Sequence, residues 1–121
     1  MDRDIIHVLG ELGDPSVVPR LLPYLRDISA SIAARTAIAL GRLRSPDAIG
    51  GLLEALTDNR HRIRLDAAEA LGCIGVASET VMEGLTVAIV DPESSVRKRA
   101  ERAYRLLSAQ AGIPSTEEPE G

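Results

Sequence analysis

The sequence predicts an all-α solenoid of about three and a half helical hairpins stacked side by side. Three observations lead there. The dipeptide Leu-Gly recurs at Leu9-Gly10, Leu40-Gly41 and Leu71-Gly72, each time after 31 residues. Between those marks, apolar residues return at helical spacing. The chain also has no Phe, no Trp and only two tyrosines, Tyr24 and Tyr104, so its core has to be Leu, Ile, Val and Ala. Such side chains let helices approach closely, and Ala and Leu are strong helix formers.

The elements follow in order. Aligning Leu9 to Ala39 with Leu40 to Ala70 matches 11 of 31 positions, among them Pro15 with Pro46, Leu25 with Leu56, and Asp27 with Asp58. The opening segment, residues 1–11, aligns with residues 32–42, the second helix of a hairpin, and so reads as a half repeat. Full units are expected over 12–42, 43–73 and 74–110, making one repeat domain over 1–111. In each unit a first helix carries residues such as Val18, Leu21, Leu22 and Leu25, or Ile49, Leu52, Leu53 and Leu56. Pro15 and Pro46 sit where a first turn tolerates proline. Pro23 falls inside the first helix, removes a donor and should kink it. Asp27, Asp58 and Asp91 are expected to open the turns. Second helices are expected from Ser31 to Arg42, Arg62 to Cys73 and Ser94 to Gln110, with Gly41 and Gly72 terminating the first two. In the third unit equivalent residues lie 33 apart, and the two extra residues are placed in the turn of Gly75 to Ser78. Residues 112–121, with Glu117, Glu118 and Glu120, read as a disordered acidic tail.

Net charge is −4, and the tail carries much of it. A body near neutrality lacks the basic excess of a dedicated nucleic-acid binder. A single Cys73 excludes an internal disulfide and suits a reducing compartment. No signal peptide or membrane-length apolar run is visible, so the expected setting is cytoplasmic, with no membrane partner.

The segments Ile63-Arg64 to Leu71-Gly72 and Val96-Arg97 to Tyr104 carry the pattern "VR…A…ALG.L". Ile32 to Gly41 follows it more loosely, with Ala33 in place of Arg. This resembles HEAT repeats, in particular the short HEAT-like repeats named after phycobilisome lyases, and the resemblance covers about residues 1–110. It implies a HEAT-like α-solenoid whose second helices face the concave side, and a ladder of Asp and Arg at the turns. It implies less about function, because fold does not fix it.

Stacking the units in register sets outward residues in three rows: Asp4, Arg35, Asp66, Arg99; then His7, Ile38, Glu69, Arg102; then Glu11, Arg42, Cys73, Leu106. Ile32, Ala37, Leu40, Ile63, Ala68 and Leu71 should face the core. The rows bring Glu11 beside Arg42 and Glu69 beside Arg102, so ion pairs between repeats are expected. The expected function is a non-catalytic scaffold or adaptor holding a protein or peptide on Arg35, Ile38, Arg42, Asp66, Glu69, Arg99 and Arg102. No enzymatic activity, cofactor or metal is expected. Several rival readings compete with this one. The basic runs Arg60, His61, Arg62, Arg64 and Arg97, Lys98, Arg99, Arg102, Arg105 would serve nucleic acid, but no aromatic platform accompanies them. A bilin-lyase-like subunit or chromophore-protein chaperone is implied only by the resemblance, with Cys73 as its one nucleophile. HEAT-repeat hydroxylases of the deoxyhypusine type carry His-Glu pairs on successive helices, whereas His7 and His61 here are not followed by Glu. The half repeat exposes apolar positions among Ile5, Ile6, Val8 and Leu9, which makes a homo-oligomer a further candidate.

Overall fold

A computed structural model describes residues 3–112. They form seven α-helices and three 3-10 segments, and no strand occurs among the described residues. The architecture is the all-α solenoid. Among the described residues the stack opens with helix α1 (Arg3–Leu12), a helix of the second type. A broken first helix follows, made of a 3-10 turn at Pro15–Val17, α2 (Val18–Leu21) and a second 3-10 stretch at Leu22–Arg26. It returns as α3 (Ala30–Leu43). The second hairpin is a 3-10 turn at Pro46–Ala48 with α4 (Ile49–Ala55), then α5 (His61–Ile74). The third is α6 (Glu79–Ala88) and α7 (Ser94–Ala111). The long helices α1, α3, α5 and α7 stack in sequence along one layer. Pro23 explains why α2 is so short: without an N–H it cannot continue the ladder, and the chain tightens to 3-10 geometry. The connector between α5 and α6 runs over Gly75 to Ser78, against two residues, Arg44 and Ser45, between α3 and the next 3-10 turn. The extra pair therefore falls in the turn where it was expected.

Local chemistry sets the helix starts. Ser29 and Ser78 accept from the backbone N–H of Ile32 and Val81, each at 3.3 Å. Asp14 and Ser45 do the same for Ser16 at 3.0 Å and Asp47 at 3.2 Å. Each supplies an oxygen to a donor the helix itself leaves unpaired. The core is aliphatic, with Leu21, Leu40, Leu52, Ile63, Leu71, Leu85, Val96 and Leu107 sealed from solvent. Burying each such side chain stabilises the fold by about 1.5–3 kcal/mol before entropy is counted.

Gly41 and Gly72 do not end helices, contrary to expectation; both lie inside them. A Cβ on Gly41 would sit 2.9 Å from Ala70, one on Gly72 3.0 Å from Ala103, and one on Gly10 3.0 Å from Ala39. These glycines are contact points where each long helix meets the next. The positions that end the helices are Gly13, Gly75 and Gly112, at φ 72°, 79° and 76°, and Arg44, at φ 55°. Beyond Gly112, the expected acidic tail lies outside the described residues.

The turns form the Asp–Arg ladder that the resemblance implies. Asp27, Asp58 and Asp91 each accept from the backbone N–H two residues on. Arg64 donates Nη1 to the carbonyls of Asp58 (2.8 Å) and Asn59 (3.1 Å) and grips Asp91 with Nε (2.7 Å) and Nη2 (3.1 Å). Arg97 repeats the carbonyl contacts on Asp91 (2.8 Å) and Pro92 (3.1 Å). In the first hairpin the equivalent position is Ala33, and Arg60 takes over. Its Nη1 reaches the carbonyls of Asp27 (2.7 Å) and Ile28 (3.1 Å), while Nε and Nη2 hold Asp58.

Candidate functional site

The face formed by α1, α3, α5 and α7 carries the seven expected partner-binding residues, on α3, α5 and α7. Arg35, Arg42 and Arg102 are exposed, while Ile38, Glu69 and Arg99 are half-buried. Asp66 departs from expectation, because it is buried, at 6% exposure. The close Gly–Ala approach of neighbouring helices draws this position into the interface. Its Oδ2 has no hydrogen bond, and Arg62 Nε stands 3.6 Å away. Burial raises the pKa of this carboxyl, against the attraction of Arg62 and Arg99.

Arg42 pairs with Glu11 as register demands. Glu69 does not meet Arg102; it pairs diagonally with Arg99, at 3.3 Å. The Arg102 side chain is thereby left with no hydrogen bond or ion pair among the described residues, and so are the side chains of Arg35 and Arg44. Arg44 and Arg102 flank a shallow groove of about 290 Å³ lined also by Glu69, Cys73 and Leu106. Cys73 is free and exposed. Its thiol is pushed up by burial and by Glu69, which outweigh Arg44, Arg102 and Arg42, so it stays protonated rather than becoming a nucleophile. Part of each basic run is committed to the turns. Arg60, Arg64 and Arg97 are spent on turn carbonyls and on Asp58 and Asp91.

The model of HEAT repeats matches this chain over residues 2–72 and 18–105. The chain belongs to the HEAT-repeat family. Within that family it is similar to deoxyhypusine hydroxylase-B of Oryza sativa subsp. japonica, at 36% identity over 99 residues, 80% of this chain and 32% of that protein. It is similar to deoxyhypusine hydroxylase of Gallus gallus at 32% over 104 residues, 84% of this chain and 34% of that one. Among solved structures, human deoxyhypusine hydroxylase in complex with glycerol superposes with a TM-score of 0.75 at 28% identity, over 95% of this chain and 41% of that chain. The chain spans about a third of the length of the curated relatives it matches.

These HEAT-repeat relatives are enzymes by name, which corrects the functional expectation. The expectations of a non-catalytic scaffold, a bilin-lyase-like subunit, a nucleic-acid binder and no enzymatic activity are overturned by this similarity to proteins named as hydroxylases. Sequence reasoning considered this family and set it aside on the histidines. His7 lies on α1 and His61 opens α5, two different positions in the repeat. Among the described residues no group of three or more His, Cys, Asp or Glu side chains could hold a metal ion. A metal centre therefore does not fit the residues described, and similarity over the whole array, rather than any ligand motif, carries the kinship. No helix among the described residues is long and apolar enough to cross a membrane.

Proposed function

We propose that this chain is a substrate-engaging segment of a HEAT-repeat hydroxylase, whose substrate is an amine-bearing side chain on a protein, the class that deoxyhypusine represents. The observation that carries the reading is similarity over at least 80% of the chain to enzymes of that one name. Hydroxylation itself converts a C–H bond to C–OH and needs an oxidising centre, for which the described residues offer no ligand set. What they do offer is a surface for the protein around the reacting side chain. Among the described residues, Arg35, Arg44 and Arg102 present guanidinium groups that make no ion pair, which favours carboxylates on the substrate protein and steers its approach. The free thiol of Cys73 is in keeping with a reducing, cytoplasmic setting.

The test uses a protein carrying deoxyhypusine, titrated calorimetrically against the chain. Product is then sought by mass spectrometry as the gain of one oxygen atom, with dioxygen, a reductant and first-row divalent metals supplied. Binding is expected, and reversing Arg35 and Arg102 to Glu together should weaken it by about tenfold or more. A chain that neither binds nor modifies the deoxyhypusine protein would sink the reading.

A further inference from the structure

Arg44 is the exception in its own register. Counting 31 residues back and forward from it reaches Gly13 and Gly75, and all three follow a long helix at positive φ, 55° against 72° and 79°. Glycine adopts that conformation freely, whereas a residue with a side chain is strained in it. The cap itself gains nothing from the arginine. Its backbone N–H reaches the carbonyl of Gly41 at 3.2 Å, a bond that glycine would make equally well. Its guanidinium makes no hydrogen bond or ion pair among the described residues. What Arg44 does supply is a free cation beside the groove between α5 and α7.

Three successive long helices build that groove. The end of α3 gives Arg44, α5 gives Glu69 and Cys73, and α7 gives Arg102 and Leu106, so it lies within the stack rather than on an end of it. Its charge is unbalanced. Glu69 is held by Arg99 at 3.3 Å and Arg42 by Glu11, which leaves Arg44 and Arg102. The positive charge of each is felt at the Cys73 thiol, so the two converge on one spot. The cavity, about 290 Å³, falls just below the roughly 300–1,000 Å³ of sites that enclose a drug-sized ligand, and suits a side chain. A pair of guanidinium groups fits carboxylate and phosphate alike. Attraction grows in proportion to the ligand's charge, but the cost of desolvating it grows with the square. Beside the apolar Leu106 and the protonated Cys73 thiol, a singly charged carboxylate therefore loses less than a doubly charged phosphate.

We propose that this groove binds the carboxylate of an aspartate or glutamate on a partner protein. Arg44 donates to it from the α3 side of α5 and Arg102 from the α7 side. Leu106, 51% exposed, packs against an apolar neighbour of that residue. The strained cap of α3 is then the cost of keeping a donor where glycine would give none. This assignment rests on the proposed function, in that the face meets a protein, and adds which side chain of that protein is held and where.

The experiment is an NMR titration of the full chain with a capped peptide holding Glu between two leucines, read at the amides of Arg44, Cys73 and Arg102. A second peptide has Gln in place of Glu, and a third has phosphoserine. The Glu peptide is expected to shift those amides and to bind at least about tenfold more tightly than the Gln peptide. Arg44→Gly should lose about tenfold in affinity with its thermal melt at or above the parent's, which a merely structural residue would not show. Arg102→Gln should lose as much, and Arg20→Gln, on α2 in the other layer, should lose nothing. Equal affinity for the Glu and Gln peptides would overturn the proposal, as would undiminished binding in Arg44→Gly and Arg102→Gln. Tighter binding of the phosphoserine peptide would overturn it in favour of phosphate. Binding seen only with Glu117→Gln, Glu118→Gln and Glu120→Gln combined would overturn it in favour of the chain's own acidic residues. The peptide carries no deoxyhypusine and no product is sought, so this result and that of the hydroxylase assay are read separately.

Discussion

Arg64 is the side chain on which the last two hairpins hinge. Its guanidinium closes two carbonyls of its own turn and clamps Asp91 of the next, with both side chains largely sheltered, at 14% and 8% exposure. Charge-assisted, two-pronged contacts of this kind are stronger than exposed ion pairs. Arg64→Ala should therefore cost about 2 kcal/mol, because the carbonyls and Asp91 lose their partner together. Chemical denaturation reads this directly, and a loss within error of zero would show that the ladder is ornamental to stability. The carboxylates also set a pH dependence. Side-chain hydrogen bonds from Arg60 and Arg64 hold Asp58 and Asp91 below the ordinary carboxylate pKa, against the opposing effect of burial. A depressed folded pKa means that the unfolded chain takes up protons first on acidification. The stability from these groups is present above the unfolded value of about 3.9 and fades as pH falls through the folded value. Asp91→Asn should flatten the acid limb of a stability–pH curve below about pH 4. Asp66 has the opposite sign: its raised pKa makes its charge a burden at neutral pH that acid relieves.

At the scale of elements, glycines and alanines decide how near the long helices come. Alanine at Gly41 would favour the helix intrinsically by about 0.5–1 kcal/mol. Its Cβ, however, would lie 2.9 Å from both the Cα and the Cβ of Ala70, and backbone cannot swing aside. Overpacking should win, and Gly41→Ala is expected to destabilise by about 1–3 kcal/mol. Arg44→Gly should do the reverse at the end of α3, relieving a left-handed residue where the other three long helices have glycine. A gain of about 0.5–1 kcal/mol in thermal or denaturant melts is expected. The same scale shows what the sequence made legible. Period and turn aspartates announced the hairpins, and the long helices begin and end within a residue or so of expectation. The role of Gly41 and Gly72 was not legible, because a glycine near a helix end serves termination or close approach equally well until the neighbour is known. Burial of Asp66 and the diagonal Glu69–Arg99 pair escaped for a related reason. Register ranks positions along rows, but the tight spacing and the 33-residue offset of the last unit decide which side chains meet.

At the scale of the whole molecule, each long helix touches only its neighbours, so stability should be distributed like that of a one-dimensional stack. Helix α5 is covered on both sides, by α3 and by α7, whereas α1 packs chiefly on α3. Function was harder to read at this scale than fold, because hydroxylase kinship is spread over the array and is announced by no ligand motif in His7 or His61. The stack makes a last prediction. Amide exchange should be slowest in α5, which is packed on both sides, and faster in α1, which has one long helix against it. Exchange in α1 as slow as in α5 would contradict the nearest-neighbour account.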